Sequence, residues 1–159
     1  MRGDRTLHAA LIVLALAGMG IAGYLTYVHY AELSPVCTTG GCERVQQSRY
    51  AKLAGVPVPL IGLIGYVAIF ASLLVRGELA RLATAFMAIG GFAFSIYLTY
   101  LELFEIDAIC QWCVASAVVM TLIAILATIR VLRAPDDDGG ALEPGEPRPS
   151  LAEPESEPV

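Results

Sequence analysis

The amino-acid sequence predicts an all-α membrane protein: a four-transmembrane-helix bundle with an external loop and a short amphipathic helix at one end. Three observations predict it. First, 57 % of the 159 residues are hydrophobic and the mean hydropathy is +0.67, well above the roughly 45–50 % apolar content of soluble domains. Second, residues 7–30, 56–75, 82–101 and 109–129 come near or pass the ~18–20 uncharged, mostly apolar residues that a spanning helix needs. Third, these segments are apolar all round, whereas a helix packed on a soluble core is apolar along one stripe. The length fits a single domain, placed at residues 1–133 with helices at about 7–30, 56–75, 82–103 and 109–132.

The first segment holds only His8 and His29 as ionisable groups. Its apolar run is longer than the roughly 7–15-residue core of a signal peptide, and no small-residue cleavage site follows. It ends instead in Tyr24, Tyr27, His29 and Tyr30, which suit a membrane–water interface. It reads as a retained helix. Next comes Cys37-Thr-Thr-Gly-Gly-Cys42, where two glycines let a short loop bend until the sulfurs meet. The following "ERVQQSRYAKL" is polar and lacks Gly and Pro, so it reads as a short helix lying on the membrane, with Cys42 at its start. Gly55, Pro57 and Pro59 end that helix and restart the chain into the second segment, a proline being tolerated in a first turn. The second and third segments carry no charge inside their windows. Gly18, Gly20, Gly23, Gly90 and Gly91 are expected to let helices pack closely. Glu32 and Glu105 read as solvated charges at helix ends.

From Ala134 onward the chain holds Asp136, Asp137, Asp138 and five glutamates, with most of the prolines. Residues 134–159 therefore read as a disordered acidic tail with nothing to bury. This tail accounts for the net charge of −5. Arg2, Arg5, Arg76, Arg81, Arg130 and Arg133 fall on one side of a four-pass chain, and Arg44, Arg49 and Lys52 on the other. The excess of positive charge marks the cytoplasmic side. Both termini are then cytoplasmic, and the cysteines lie on the opposite face, where disulfides persist.

Two stretches draw attention to those cysteines. "YLTYVHYAELSPVC" begins at Tyr24 and "YLTYLELFEIDAIC" at Tyr97. Each ends on a cysteine, Cys37 and Cys110, and a second follows each, Cys42 and Cys113. Cys110-Gln111-Trp112-Cys113 opens the fourth helix, where free N–H groups and the helix dipole favour thiolate. Cys113 lies about 4.5 Å deeper than Cys110 at 1.5 Å per residue. One thiol can face water while the other faces the bilayer. That asymmetry suits a relay between a protein dithiol and a lipid-soluble oxidant. The competing readings are two inert structural disulfides in a non-enzymatic membrane scaffold, and a four-cysteine zinc site, whose usual spacings this chain does not follow. No phosphate loop and no basic nucleic-acid stripe is present.

The order of motifs resembles bacterial members of the vitamin K epoxide reductase family. The spaced cysteine pair is followed by Cys42, Val45, Ser48, Tyr50 and Ala51 at the family's spacing, then by Gly55 and Pro57, by Gly62 and Tyr66, and by the CxxC pair. The resemblance covers about residues 7–132. It implies a four-helix bundle around a quinone, menaquinone or ubiquinone, capped by the loop and short helix. It implies that Cys110 and Cys113 form the active-site pair, with Cys113 beside the quinone, and that Cys37 and Cys42 shuttle electrons to it, Cys42 exchanging with Cys110. Ser48 would face the quinone ring. Trp112, from its place in the CxxC pair, reads either as packing on the quinone or as an interfacial tryptophan. The electron donor would be a separate thioredoxin-fold (DsbA-like) protein outside the bacterial inner membrane, and no metal is required. The vertebrate enzymes carry an Asn before the second helix and a Thr-x-Tyr segment after CxxC. This chain has neither, reading Val114-Ala115-Ser116-Ala117 after the pair. The implied activity is therefore thiol oxidation with quinone as acceptor, the alternative being quinone or epoxide reduction fed by another thiol donor. DsbB does the same job with its cysteine pairs in the reverse order.

A membrane-impermeant thiol reagent is expected to label this chain in intact, reduced spheroplasts. Labelling that appears only after lysis would reverse the orientation.

Overall fold

The computed structural model describes residues 2–38 and 40–133; the acidic tail lies outside the described residues. The chain order is α1 (Arg2–Tyr30), α2 (Cys42–Gln47), a 3-10 turn at Arg49–Ala51, β1 (Lys52–Leu53), β2 (Val56–Pro57), α3 (Val58–Leu74), α4 (Glu78–Phe104) and α5 (Gln111–Leu132). Arg5–Tyr30, Glu78–Phe104 and Gln111–Leu132 are long and apolar enough to cross a membrane, and α3 is a shorter apolar helix. Its 17 residues make about 26 Å of helix at 1.5 Å per residue.

The helices outrun the apolar windows because helix geometry continues past the point where hydropathy falls. α1 starts at Arg2 and α4 at Glu78. Gly77, at φ 137°, sets the start of α4, and Glu78 then sits in its first turn, where a negative charge suits the helix dipole. α5 starts later than 109 because Cys110 is an extended N-cap, at φ −97° and ψ 114°.

The short amphipathic helix is shorter than expected, and a small hairpin follows it. Ser48 donates its hydroxyl to the Val45 carbonyl at 2.8 Å and turns extended at ψ 154°. A serine that bonds its own backbone competes with the helix, so α2 stops at Gln47. The hairpin pairs Lys52 with Pro57 and Leu53 with Val56. Its two-residue turn, Ala54 at φ 51° and Gly55 at φ 85°, has both residues left-handed, as the hairpin twist demands.

The four long helices form a ring: α1 packs on α3 and α5, and α4 packs on α3 and α5. The core draws small residues inward, Ala15 and Ala22 from α1, Ala85 and Ala88 from α4, Ala124 and Ala127 from α5, around Leu11, Tyr66, Ile69 and Ile123. Large apolar side chains face out; Leu79 and Phe86 are each 81 % exposed. Water would penalise that surface, whereas lipid accepts it and leaves close packing to hold the helices together. Two hydroxyls inside pair with each other. Ser72 and Thr84 hydroxyls meet at 2.7 Å between α3 and α4, and Thr84 also donates to the Ala80 carbonyl at 2.8 Å.

Only two of the five glycines expected at helix contacts serve that purpose. A Cβ on Gly18 would collide with the Tyr66 ring, and one on Gly91 would come within 2.8 Å of the Met120 sulfur. Gly20, Gly23 and Gly90 face open space. Gly18→Val is therefore expected to destabilise the detergent-solubilised protein by ~1–3 kcal/mol through overpacking. Gly20→Val, with the same change in helix propensity, should cost distinctly less in the same thermal unfolding measurement.

Candidate active site

All four cysteines gather at one end of the bundle. Cys37 and Cys42 are joined in a disulfide, while Cys110 and Cys113 are free thiols. The loop before Cys37 is fastened to the CxxC pair by its two middle residues. Trp112 donates its indole N–H to the Val36 carbonyl at 2.8 Å, and Gln111 donates its amide to the same oxygen at 3.3 Å. Thr38 returns two bonds to Gln111 Oε1, from its N–H at 3.2 Å and its hydroxyl at 2.6 Å. The Val36 N–H donates to the Tyr24 hydroxyl at 3.0 Å, and the Tyr24 and Trp112 rings pack with centroids 4.9 Å apart. Beside this clasp the backbones touch. A Cβ on Gly41 would collide with the Ile109 carbonyl oxygen and approach its nitrogen to 2.9 Å. These are the immediate neighbours of Cys42 and Cys110, and both of those cysteines are fully buried.

Cys113 lines a cavity of about 400 Å³, within the range of small-molecule sites. The cavity runs along α4 from Glu102 to Phe86, about 24 Å at 1.5 Å per residue. Its walls are mostly apolar, with Phe86, Met87, Phe94 and Leu98 among them. A few polar groups stand at the cysteine end: Gln46, Ser48, Glu102 and Ser116. Tyr66 reaches Ser116 through its hydroxyl, 3.0 Å from the carbonyl and 2.9 Å from Oγ.

A model of the vitamin K epoxide reductase family matches residues 9–128. The chain belongs to that family. The vitamin K epoxide reductase family consists in general of membrane oxidoreductases acting on thiols and quinones. The cavity suits such a substrate. It is long enough for a ring and part of an isoprenoid tail. Gln46 Oε1 is buried with no hydrogen-bond partner in the protein, an acceptor that calls for a donor such as a hydroxyl.

The residues named from the sequence divide between two places. Cys113 and Ser48 stand in the cavity wall. The Ser48 hydroxyl already donates to Val45, which leaves its oxygen free to accept. Trp112, expected against the quinone, does not line the cavity; its ring and N–H are taken up by Tyr24 and Val36. Glu105, expected to be solvated, accepts from the Tyr50 hydroxyl at 3.2 Å and ties the 3-10 turn to the end of α4. Among the described residues no group of three His, Cys, Asp or Glu side chains is placed to hold a metal.

Sequence reasoning missed Glu102. It is buried, 6 % exposed, and its Oε2 accepts the Cys110 N–H at 3.1 Å. A carboxylate within an apolar helix was itself the signal. It also missed Gln111 as the anchor of the loop.

Cys110 acidity follows from this geometry. The Cys113 thiol donates to its sulfur, and the N–H groups of Trp112 and Cys113 add to the effect, so the Cys110 thiol is pulled down to about 7 despite burial. The thiolate share of the dithiol form should thus rise as pH passes through about 7. Ultraviolet thiolate absorbance on the reduced protein checks this. Cys113→Ala removes the leading cause and should move the transition to higher pH.

Proposed function

We propose that this protein is a thiol:quinone oxidoreductase of the bacterial inner membrane. It crosses four times, with both termini cytoplasmic and the cysteines on the periplasmic side. It reoxidises a separate thioredoxin-fold (DsbA-like) partner and so supports disulfide formation in exported proteins. A thiolate of the partner attacks the Cys37–Cys42 disulfide, and the mixed disulfide resolves to leave the partner oxidised. Cys42 then attacks Cys110 of the Cys110–Cys113 disulfide. Cys37 resolves that bridge, restoring Cys37–Cys42 and leaving Cys110 and Cys113 as thiols. Re-forming the Cys110–Cys113 disulfide releases two electrons and two protons, which the quinone, menaquinone or ubiquinone, takes up in becoming the quinol.

One observation carries this reading. The backbone contact of Gly41 with Ile109 sets Cys42 beside Cys110, while Cys113, one turn on, faces the apolar cavity. Two inert structural disulfides would need neither the cavity nor a free buried pair beside it. We assign Ser48 and Gln46 to the ring, their free oxygens accepting from the hydroxyls of the quinol form, and the length of the cavity along α4 to its tail.

Purified protein in substoichiometric amount, given quinone, should oxidise a reduced thioredoxin-fold protein over many turnovers. Cys37→Ala should keep quinone reduction by dithiothreitol and lose oxidation of the protein partner. Cys113→Ala should abolish both and, isolated without reductant, accumulate a Cys42–Cys110 disulfide visible by non-reducing peptide mass spectrometry. A Cys37–Cys110 link would exchange the roles of the loop cysteines. No link in any single-cysteine variant, with no turnover, would leave the structural-disulfide reading.

A further inference from the structure

We propose that Glu102 is a catalytic residue, the proton acceptor of the Cys110–Cys113 pair. The inference rests on the thiol:quinone reading and assigns that chemistry a group with which nothing so far has been charged. Glu102 stands inside α4, two residues before its end. Among the described residues it is the one charged side chain in the buried set. Its contacts are all with the reacting pair or the cavity. Oε2 accepts the Cys110 N–H at 3.1 Å, the carboxyl group interacts with the Cys113 thiol, and the side chain shares the cavity wall with Cys113. Its own carbonyl accepts the Ala108 N–H at 3.2 Å, so the turn between α4 and α5 folds back over it and fixes its position. The other titratable groups at the cavity are Cys113 from α5, Tyr50 from the turn after α2 and Tyr66 from α3, with Cys110 at the N-cap of α5 beside it. No Lys or Arg lines this cavity.

A carboxylate is an expensive choice for that place. If the Cys110 N–H merely needed an acceptor, an amide or hydroxyl would serve at lower desolvation cost. What a carboxylate adds is the capacity to take a proton. The chemistry requires that capacity on this side. Forming the Cys110–Cys113 bond removes two protons from sulfur and delivers two to quinone oxygens. Cys110, buried beneath the loop and the more acidic of the two thiols, enters the step as the thiolate, its proton already lost to water. Cys113 faces the cavity, away from water. Glu102 takes the Cys113 proton; Cys110 Sγ bonds to Cys113 Sγ; two electrons pass to the quinone. The proton held on Glu102 goes to one quinone oxygen, and the proton lost by Cys110 returns from water to the other. Glu102 ends ionised, ready for the next cycle.

The test reads Cys113 without quinone. In a Cys110→Ser background, with Cys37–Cys42 oxidised, Cys113 is the free thiol, and N-ethylmaleimide measures its thiolate. With Glu102 present the proton moves internally, so alkylation should be nearly flat between about pH 6 and 8. With Glu102→Gln, which keeps an acceptor for the residue 110 amide, the proton must go to solvent, and the rate should rise about tenfold per pH unit. In the four-cysteine protein Glu102→Gln should lose at least about 30-fold in dithiothreitol-driven reduction of a short-chain quinone at pH 7, a loss that shrinks as pH rises. Equal slopes with Glu and Gln overturn the proposal. So does faster alkylation of the Gln variant at every pH, which would make Glu102 only a charge that opposes thiolate formation. Should Glu102→Gln not fold, the Glu102-containing protein still decides, because a tenfold rise per pH unit there is fatal on its own. Absence of thiol–quinone turnover in the unmutated protein would instead defeat the proposed function, leaving the alkylation slopes to judge Glu102 separately.

Discussion

The peptide of Val36 is held from both sides, and the geometry of the site depends on that hold. Its N–H goes to Tyr24 on α1, and its carbonyl takes bonds from Gln111 and Trp112 on α5. Three parts of the chain distant in sequence are thereby joined at one residue: the end of α1, the disulfide loop and the start of α5. Each bond alone contributes about 0.5–1.5 kcal/mol net. Together they oppose the entropy of a loop that two glycines would otherwise leave loose. The residues between the CxxC cysteines are therefore the fastening of the loop. Their neighbours on either side, Cys110 and Cys113, are left free to react.

From that fastening follows a division of environments within one helical turn. Cys110 is the N-cap of α5, extended and buried beneath the loop. Cys113, inside the first turn, opens on the cavity. Burial alone would make both thiols poor nucleophiles. The Cys113 thiol, and after it the N-terminal N–H groups, offset that at Cys110. In the proposed relay this matters because Cys110 is the leaving group when Cys37 resolves the bridge, and a more acidic thiol leaves faster. Cys110 would meet the shuttle and Cys113 the quinone, and neither would need to travel.

The helical bundle was legible in the sequence because lipid exposure leaves whole segments apolar, and that signal survives without any knowledge of packing. Helix ends were less so, since Arg2 and Glu78 extend helices beyond the apolar windows. Gly18 and Gly91 could not be told from Gly20, Gly23 and Gly90, because only the rotation of each helix decides which of them meets a neighbour. The early end of α2 was hidden by a stretch without Gly or Pro, in which Ser48 breaks the helix, and the hairpin turn at Ala54 and Gly55 read as a simple stop. Both cysteine pairs were legible from spacing. The bond of Trp112 to the Val36 carbonyl was not legible, because Val36 belongs to a loop whose course no periodicity reveals. Glu102 escaped for a simpler reason: the apolar window closed at Leu101, and the repeated motif drew the eye to Glu105.

Glu102 and Glu105 together show how one turn of helix separates two uses of the same side chain. Glu105, past the end of α4, is exposed and accepts from Tyr50, a surface tether of the kind that contributes little to stability. Glu102, three residues earlier, is turned inward and loses its water. What lies against it in exchange is the Cys110 N–H, which it accepts, and the neighbouring Cys113 side chain. A fully compensated buried carboxylate would have several donors or a cation. This one is under-compensated, and its incomplete solvation is directed at Cys113. In the proposed relay the thiol beside it carries the proton that disulfide formation must remove.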